Sequence, residues 1–522
     1  MAWLMRQLRP LNTCTVLAAG ALVVGLVDIA VSLVPRISAV LPQLGGTLRV
    51  ADPSVARSLT FAAGAVLLWV AAGLWRRKRR AWLLALSMVA LGATAGAVRD
   101  PDLGQICLSV ALLIALVRSR RAFTVAGDPT SMRPVARALL VTLFAWMIVG
   151  STLSTHLNRV TDLGFELLLV AGAAWGLQVW MRSDREPGPA DRRDHARAQR
   201  IVERHGDDSL SFFALRGDRR YAFSSEGNAF LAYRVVAGCA LVSGDPVGEP
   251  AEIPGLLDEF RAIAHARGWR LVFLHAGERW AAVHRSSGMR AVPVGDEAVI
   301  RPLAFTLEGR SMRKVRQSVA RLERAGYRIE VRRPGELDGA QRAEIDAVSA
   351  EWLCGGRERG FSMAMDDAYA HPRTMFVLGL DDRGRLGGYL HLVPSLEGFS
   401  LSAMRRRPDT PNGLMEWMIS RTVGLVGESG AHEFSLNFAV FAALLRTSPD
   451  GPRAARAAQW ALGQLDRGFQ LNRLYSFNSK FAPEWRTRYV CFERVIDVPV
   501  LSLATLHLES LLPLPQLRTS RA

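Results

Sequence analysis

Apolar positions are distributed along the chain in two unlike ways. Up to about Met181 they form long runs, at roughly 11–34, 56–75, 81–98, 103–117, 135–153 and 163–181, separated by short polar stretches rich in arginine. Most of these runs approach the length a helix needs to cross a hydrocarbon core, and the fourth is short. The pattern predicts a six-helix transmembrane bundle over residues 1–181. The first run is too long for the apolar segment of a signal peptide and is followed by others, so it reads as an anchor. Asp28 and Glu166 fall inside runs, where a functional acid and a packed or interfacial contact are equally good accounts.

After Met181 the pattern shortens. "RSDREPGPADRRDHARAQR" is charged and interrupted by proline and glycine, which predicts a linker over 182–204. "RYAFSS", "FLAYRVVAG" and "CALVSGDPVG" alternate as successive strands of a meander, with Gly227 and Gly238 at the turns. A helix over about 253–266, the strand "WRLVFLHAG", a short helix through Trp280 and "MRAVPVG" complete a first unit, 205–304. The order then approximately repeats over 305–500: a helix at 309–325, strand "YRIEVRR", helix 336–353, strands "TMFVLGLDD", "LGGYLHLV" and "FSLSAMR", helix 413–427 and strand "EFSLNFAV". The expected fold class is therefore a helical membrane domain followed by two tandem α/β units with mostly antiparallel centres, and an apolar tail at 501–522. That tail is expected to pack on the second unit or to lie against a membrane.

Charge adds orientation and partners. The basic clusters at 76–80 and 118–121 and after Met181 fall on one side with the N-terminus, which places both termini in the cytoplasm. The net charge of +17 calls for an anionic partner, nucleic acid or an acidic membrane surface. In the helix at 309–325, Met312, Val315, Val319 and Leu322 recur at helical spacing. Arg310, Arg313, Lys314, Arg316, Arg321 and Arg324 take the other faces against one acid, Glu323, a balance suited to phosphate contacts. Of the 65 basic residues only Lys78, Lys314 and Lys480 are lysine. Lys480 lies in the aromatic, basic stretch "LYSFNSKFAPEWRTRYV", where a compact ammonium has replaced the usual planar fork.

Several chemistries lose ground. The chain has no GxxxxGK[ST] loop, no HExxH, no GxSxG elbow and no dinucleotide-binding glycine fingerprint after a strand. Five scattered cysteines without a CxxC pair argue against a zinc site or a disulfide framework. A cofactor-free transfer or a binding role is left.

Five stretches together resemble the aminoacyl-phosphatidylglycerol synthases, also called phosphatidylglycerol lysyltransferases or multiple peptide resistance factors. They are 211–248, "RSMRKVRQSVARLERAGY" (310–327), "SLSAMRRRPDTPNGLMEWMI" (400–419), "FSLNFAVF" (434–441) and "FNSKFAPEW" (477–485). The resemblance runs in order over essentially all of 205–500. It implies tandem GNAT-like acyltransferase folds that move an amino acid, lysine first among the candidates, from aminoacyl-tRNA to phosphatidylglycerol without metal or cofactor. Both substrates are anionic, in keeping with the charge.

By the same resemblance Lys480 is a substrate-binding cation, Arg405 holds an anion and Glu416 grips the aminoacyl ammonium or pairs within its helix. Asn437 offers an amide to the transferred amino acid or makes a structural bond, and Trp485 stacks beside Lys480, with Phe481 more simply a core residue. Asn412 opens a helix next to the site, and Arg313, Lys314 and Arg316 supply phosphate contacts. Arg216, Asp218, Arg219 and Asp245 match family positions and are assigned to architecture. Ser402 stands where the family commonly has an aspartate, which leaves amino-acid identity and activity open. Flippase spans upstream and a fused tRNA synthetase are both missing, so a separate flippase and the cell's charged tRNA are expected partners. Two alternatives stay open: transfer to another lipid or cell-wall acceptor, and a non-catalytic member that binds lipid or tRNA.

Overall fold

A computed structural model of the chain describes residues 13–33, 53–99, 103–125, 190–355, 363–440 and 471–510, with isolated positions between them. They fall into two compact units, Met1–Glu186 with Ala262–Trp269, and Pro187–Arg261 with Arg270–Ala522.

The first unit contains helices α1 (Thr13–Leu33), α2 (Pro53–Trp75), α3 (Arg79–Arg99) and α4 (Leu103–Arg118), which coincide with the first four apolar runs. Of the described helices, one segment, Thr13–Ser32, is long and apolar enough to cross a membrane, while Thr60–Trp75 and Gly104–Arg118 are shorter. The runs at 135–153 and 163–181, and Glu166 with them, lie outside the described residues apart from Gly176 and Trp180. Among the described residues four of the six expected helices are present and one is of membrane-spanning length, which does not establish the six-helix transmembrane bundle. α1 and α2 cross on bare backbone: a Cβ on Gly25 would stand 2.8 Å from the Gly64 carbonyl oxygen, and one on Gly64 2.7 Å from that of Gly25. Asp28 is buried and accepts from Gln105 Nε2 at 2.7 Å, the packed contact between helices that its position allowed.

In the second unit the expected linker is corrected first. Residues 192–205 form a helix, α5 (Arg192–His205). Asp191 caps it by accepting from the Asp194 amide at 2.8 Å, and Ala198, Ile201 and Val202 bury one face against Phe212, Phe213 and Leu215. There follow β1 (Arg220–Phe223), β2 (Ala229–Val236), β3 (Cys239–Ser243), the short β4 (Val247–Gly248), α6 (Ile253–Ala266), β5 (Arg270–Ala276), α7 (Glu278–Ser286) and β6 (Arg290–Ile300). Next come α8 (Arg313–Arg324), β7 (Arg328–Arg332), α9 (Gly339–Leu353), β8 (Met375–Leu380), β9 (Leu386–Pro394), β10 (Gly398–Arg406), α10 (Leu414–Glu428) and β11 (Glu433–Val440). The last elements are α11 (Leu471–Asn478), β12 (Glu484–Phe492) and α12 (Val498–Leu508).

The strands form one sheet in the order β1-β2-β3-β5-β12-β6-β11-β10-β9-β8-β7, with β4 on β2. β3/β5 and β10/β11 are parallel and the other pairs antiparallel. β12, last in the chain, lies between β5 and β6, pairing Trp485 with Ala298 and Cys491 with Phe273. The repeat seen in the sequence is therefore built as a continuous sheet in which the strand from the end of the chain sits among those of the first α/β stretch. α12 belongs to that end as well. Leu501 and Ala504 pack with Cys239 and Leu241 of the first α/β stretch and with Phe492 on β12, so the tail packs on residues of both stretches.

β12 brings a buried charge with it. Arg488 is 3 % exposed. Its Nε donates to Glu297 on β6 at 3.0 Å, its Nη1 to Asp208 at 2.7 Å and its Nη2 to Ser209 Oγ at 3.0 Å. Burial opposes ionisation of Glu297, yet the Arg488 charge and the Ser209 and Ser435 hydroxyls hold its carboxyl below the ordinary range. Removing one partner of such a pair leaves the other charged and dry. Arg488→Met is expected to cost about 3–5 kcal/mol, and Arg488→Met with Glu297→Gln to recover part of that loss, both read by denaturant unfolding of the purified chain. A double variant no more stable than the single one would show that the pair is not what holds β12 in place.

Candidate active site

β10 and β11 pair for only three residues, Gly398–Ser400 with Glu433–Ser435, and then part. β10 continues along β9 and β11 along β6, so a gap opens between two strands that began as neighbours. Both strands carry an irregularity where they separate. On β10 it is Ser402, between Leu401 and Ala403; on β11 it is Leu436–Asn437, with Asn437 at φ +67°. Bulges of this kind re-aim side chains and are common beside active sites.

The groups freed by the separation find partners across the gap. Asn437 Nδ2 donates to the Leu401 carbonyl at 3.0 Å and to the Met363 carbonyl at 2.8 Å. Ser402 Oγ accepts from the Met365 amide at 3.0 Å, and Arg216 Nη1 donates to the Ala364 carbonyl. The backbone of 363–366 is thus laid over the gap, a feature no motif in the sequence announces.

Strand alternation sorts the expected site residues by face. Leu401 and Met404 pack with α8 and α10, while Ala403 packs with the α9 side beside Tyr389. Arg405, one residue past Met404 and 8 % exposed, falls on the Ala403 side, where its charge also acts on His391. Ser402 and Asn437 therefore belong to the neighbourhood of 363–366, and Arg405 to the side of β10 that carries Ala403.

Lys480 and Glu416 belong to the other face. Lys480 is carried on the short 3₁₀ turn Ser479–Phe481 that ends in Ala482 at φ +46°, and Glu416 sits in the first turn of α10. Lys480 Nζ meets Glu416 Oε1 at 2.7 Å and stands 5.1 Å from the Phe477 ring centroid. The lysine side chain is 36 % exposed and the glutamate 16 %, so the pair is half-wet and its cation still faces solvent. Glu416 pairs outside its own helix, which replaces the intrahelical role open to it from the sequence.

The other expectations divide. Phe481 is buried at 1 % in the core with Trp417 and Phe434, as its simpler reading had it. Trp485 stacks on Tyr475 with ring centroids 4.6 Å apart. Asn412 contributes its carbonyl, which accepts from Arg321, and Gly413 at φ +91° starts α10, where a Cβ would stand 2.4 Å from Ser318 Oγ. On α8, Arg313, Lys314 and Arg316 are exposed, Arg316 reaching the Leu307 and Gly309 carbonyls. α8 packs on α10 and on the Ser479–Phe481 turn, which sets this basic helix beside Lys480. Arg216 pairs with Asp218, Arg219 is fully buried and donates to Ser243 Oγ at 3.3 Å, and Asp245 stands 3.8 Å from Arg488. Glu297, Ser435 and Arg488 were missed because their pairing spans up to 191 residues of sequence. Among the described residues no cluster of side chains is arranged to hold a metal ion.

Comparison with known proteins gives the family and the fold. The family described as phosphatidylglycerol lysyltransferase, C-terminal, matches residues 199–492. The lysylphosphatidylglycerol biosynthesis bifunctional protein LysX of Mycobacterium ulcerans (strain Agy99) is 32% identical over 514 residues, covering 88% of this chain and 46% of its own length. That of Mycobacterium sp. (strain JLS) is 35% identical over 381 residues, 70% of this chain and 34% of its own. The chain thus spans less than half the length of these relatives. The structure of L-PGS from Bacillus licheniformis superposes with a TM-score of 0.56 at 24% identity, over 62% of this chain and 99% of that one, and shows the fold to be shared.

Three buried histidines in this unit tie its stability to pH. Burial, then Arg488 and Arg219, press His275 down to about 3. Burial and Arg261 press His284 to about 4, and burial with Arg405 brings His391 to about 4. Each is neutral in the fold and titrates near 6.5 when exposed, so its contribution is complete above about 6.5 and is lost as pH falls toward about 4. His284 stacks on Phe273 at 4.0 Å, which makes His284→Phe the mildest substitution. Unfolding free energy measured between about pH 6.5 and 4.5 is expected to fall less steeply for His284→Phe than for the unaltered chain, by up to about 1.4 kcal/mol per pH unit. Parallel slopes would mean that His284 takes up no proton on unfolding.

Proposed function

The chain belongs to the phosphatidylglycerol lysyltransferase family, and from that premise we propose that it transfers an amino acid from aminoacyl-tRNA to the head group of phosphatidylglycerol. Lysine is the first candidate for the amino acid. The helical unit anchors the chain in the membrane, with the second unit at its cytoplasmic face. The observation that carries the reading is the Lys480–Glu416 pair, held at 2.7 Å on one face of strands whose other face bears Ser402, Arg405 and Asn437 at an opening between β10 and β11. An acyl transfer between two large substrates profits from such a two-faced site, since each substrate approaches from its own side and only the reacting atoms meet.

The step exchanges one ester for another. The lipid hydroxyl oxygen bonds to the aminoacyl carbonyl carbon, the bond from that carbon to the ribose oxygen breaks, and the hydroxyl proton ends on the ribose oxygen. The driving force is small, so positioning and electrostatics set the rate. Lys480, steered by Glu416, takes an anionic group of one substrate, and the arginines of α8 beside it extend that charge along a phosphate backbone. Arg405 faces the acyl group, where a guanidinium stabilises negative charge on the carbonyl oxygen, and Asn437, whose two Nδ2 protons are given to the Leu401 and Met363 carbonyls, holds the backbone there in place. Trp485, backed by Tyr475, gives a flat apolar wall. Ser402 supports a second reading, a binder without turnover, because its hydroxyl is engaged with the Met365 amide and carries no charge.

Lipid mass spectrometry of a host without aminoacylated lipids, expressing this chain, is expected to show phosphatidylglycerol heavier by one amino-acid residue. Lys480→Ala is expected to lower that product by ~10²-fold or more while membrane level and unfolding stay unchanged. Wild-type turnover in Lys480→Ala would remove Lys480 from the site. No product from the unaltered chain, with product appearing in Ser402→Asp, would select the binder.

A further inference from the structure

A basic cavity lies along α5, lined by none of the residues placed in this site. Arg197, Arg200 and Arg204 succeed one another along one side of α5 and line a hollow of about 240 Å³ with His205, Gly227 and Asn228. Arg197 makes its floor: Nε donates to the Gly227 carbonyl at 3.1 Å, and the guanidinium lies 4.6 Å over the Phe223 ring. Gly227 is at φ +83°, and a Cβ there would fall 1.2 Å from Arg197 Nη2. The turn between β1 and β2 is bare of a side chain where the guanidinium passes.

Arg200 and Arg204 are exposed, and neither pairs with a carboxylate among the described residues. The acids nearby are engaged elsewhere. Glu203 holds Gln199 and Arg373, and Glu252 holds Ser224 and Asn228. Three guanidinium groups and an imidazole share one hollow, and the carboxylates at its rim, Glu252 on Asn228 and Glu226 next to Gly227, offset them only in part, an arrangement that an anion completes. Guanidinium forks match the paired oxygens of a phosphate. The cavity admits one phosphate group, whereas a nucleic-acid strand is bound along a groove that follows several nucleotides.

Chain connectivity bears on the source of that phosphate. Arg80 holds the Trp180 carbonyl at 2.6 Å within the helical unit, and α5 begins at Arg192. The peptide between them reaches at most about 40 Å when fully extended. α5 is the first described helix after that tether. We propose that the cavity takes the phosphodiester of an anionic phospholipid molecule other than the one that accepts the amino acid, and so docks the second unit onto an acidic bilayer. The inference rests on the reading of the helical unit as a membrane anchor.

The test counts phosphatidylglycerol molecules held by the full-length chain in detergent, by native mass spectrometry, with inorganic phosphate as competitor. Arg200→Glu with Arg204→Glu is expected to hold the lipid about tenfold less tightly, while Arg200→Lys with Arg204→Lys stays near the unaltered chain. Transfer at saturating phosphatidylglycerol is expected to stay within about twofold in both, since neither arginine belongs to the active site. Equal lipid retention in the glutamate variant and the unaltered chain would overturn the proposal. So would a variant that loses inorganic phosphate or tRNA but keeps the lipid, since the source would then be free phosphate or nucleic acid. Charge-dependent lipid retention in a chain without transfer activity would leave the docking site standing and remove the enzyme reading instead.

Discussion

The second unit depends on a buried cation that needs three stretches of chain at once. Arg488 arrives on β12, Glu297 on β6, and Asp208 precedes β1. A guanidinium left dry and unpaired in the middle of a sheet is intolerable, so β12 is stable between β5 and β6 only when both acids are already in place. Burial and the neighbouring Asp208 push the Asp245 carboxyl up, although Arg488 pulls against them, which makes Asp245 the weaker partner of the group. Carboxylates compete for one cation, and the geometry gives it to Glu297 and Asp208.

The same network reaches the gap between β10 and β11. Glu297 Oε1 accepts from Ser435 Oγ at 2.6 Å, and Ser435 Oγ in turn accepts from the Asn437 amide at 3.0 Å. Asn437 is held at φ +67°, a conformation that asparagine tolerates better than most residues but that still needs support. The chain of contacts from Arg488 through Glu297 and Ser435 supplies it. The placement of the amide beside Leu401 and Met363 thus follows from how the sheet is closed.

What the sequence made legible was local. The apolar spacing of Met312, Val315, Val319 and Leu322 is a property of one helix, and all four are buried as that spacing requires. Lys480 stood out because so few lysines accompany it, and the structure gives the reason: an ammonium fits between a carboxylate at 2.7 Å and the face of the Phe477 ring. α5 was hidden by composition, since its arginines resemble a linker and only Asp191 and three small apolar positions mark it as a helix. The insertion of β12 could not be read at all, because strand order depends on pairing between residues far apart in sequence. Nor could the division of the site residues between two faces, because the bulge at Ser402 shifts the alternation that would have assigned them.

Ser402 is where these lines meet. A hydroxyl has one oxygen, and here it accepts from the Met365 amide at 3.0 Å. It keeps one proton to donate and one lone pair, enough to orient a neutral group but not to balance an ammonium. A carboxylate in its place would accept from Met365 with one oxygen and retain a charged oxygen for the transferred amino acid. On the proposed reading the α-ammonium of the donor must be balanced by a group other than Ser402. Glu416 has the right charge but stands on the opposite face of the strands and already holds Lys480, so the two faces of the site do not share a carboxylate.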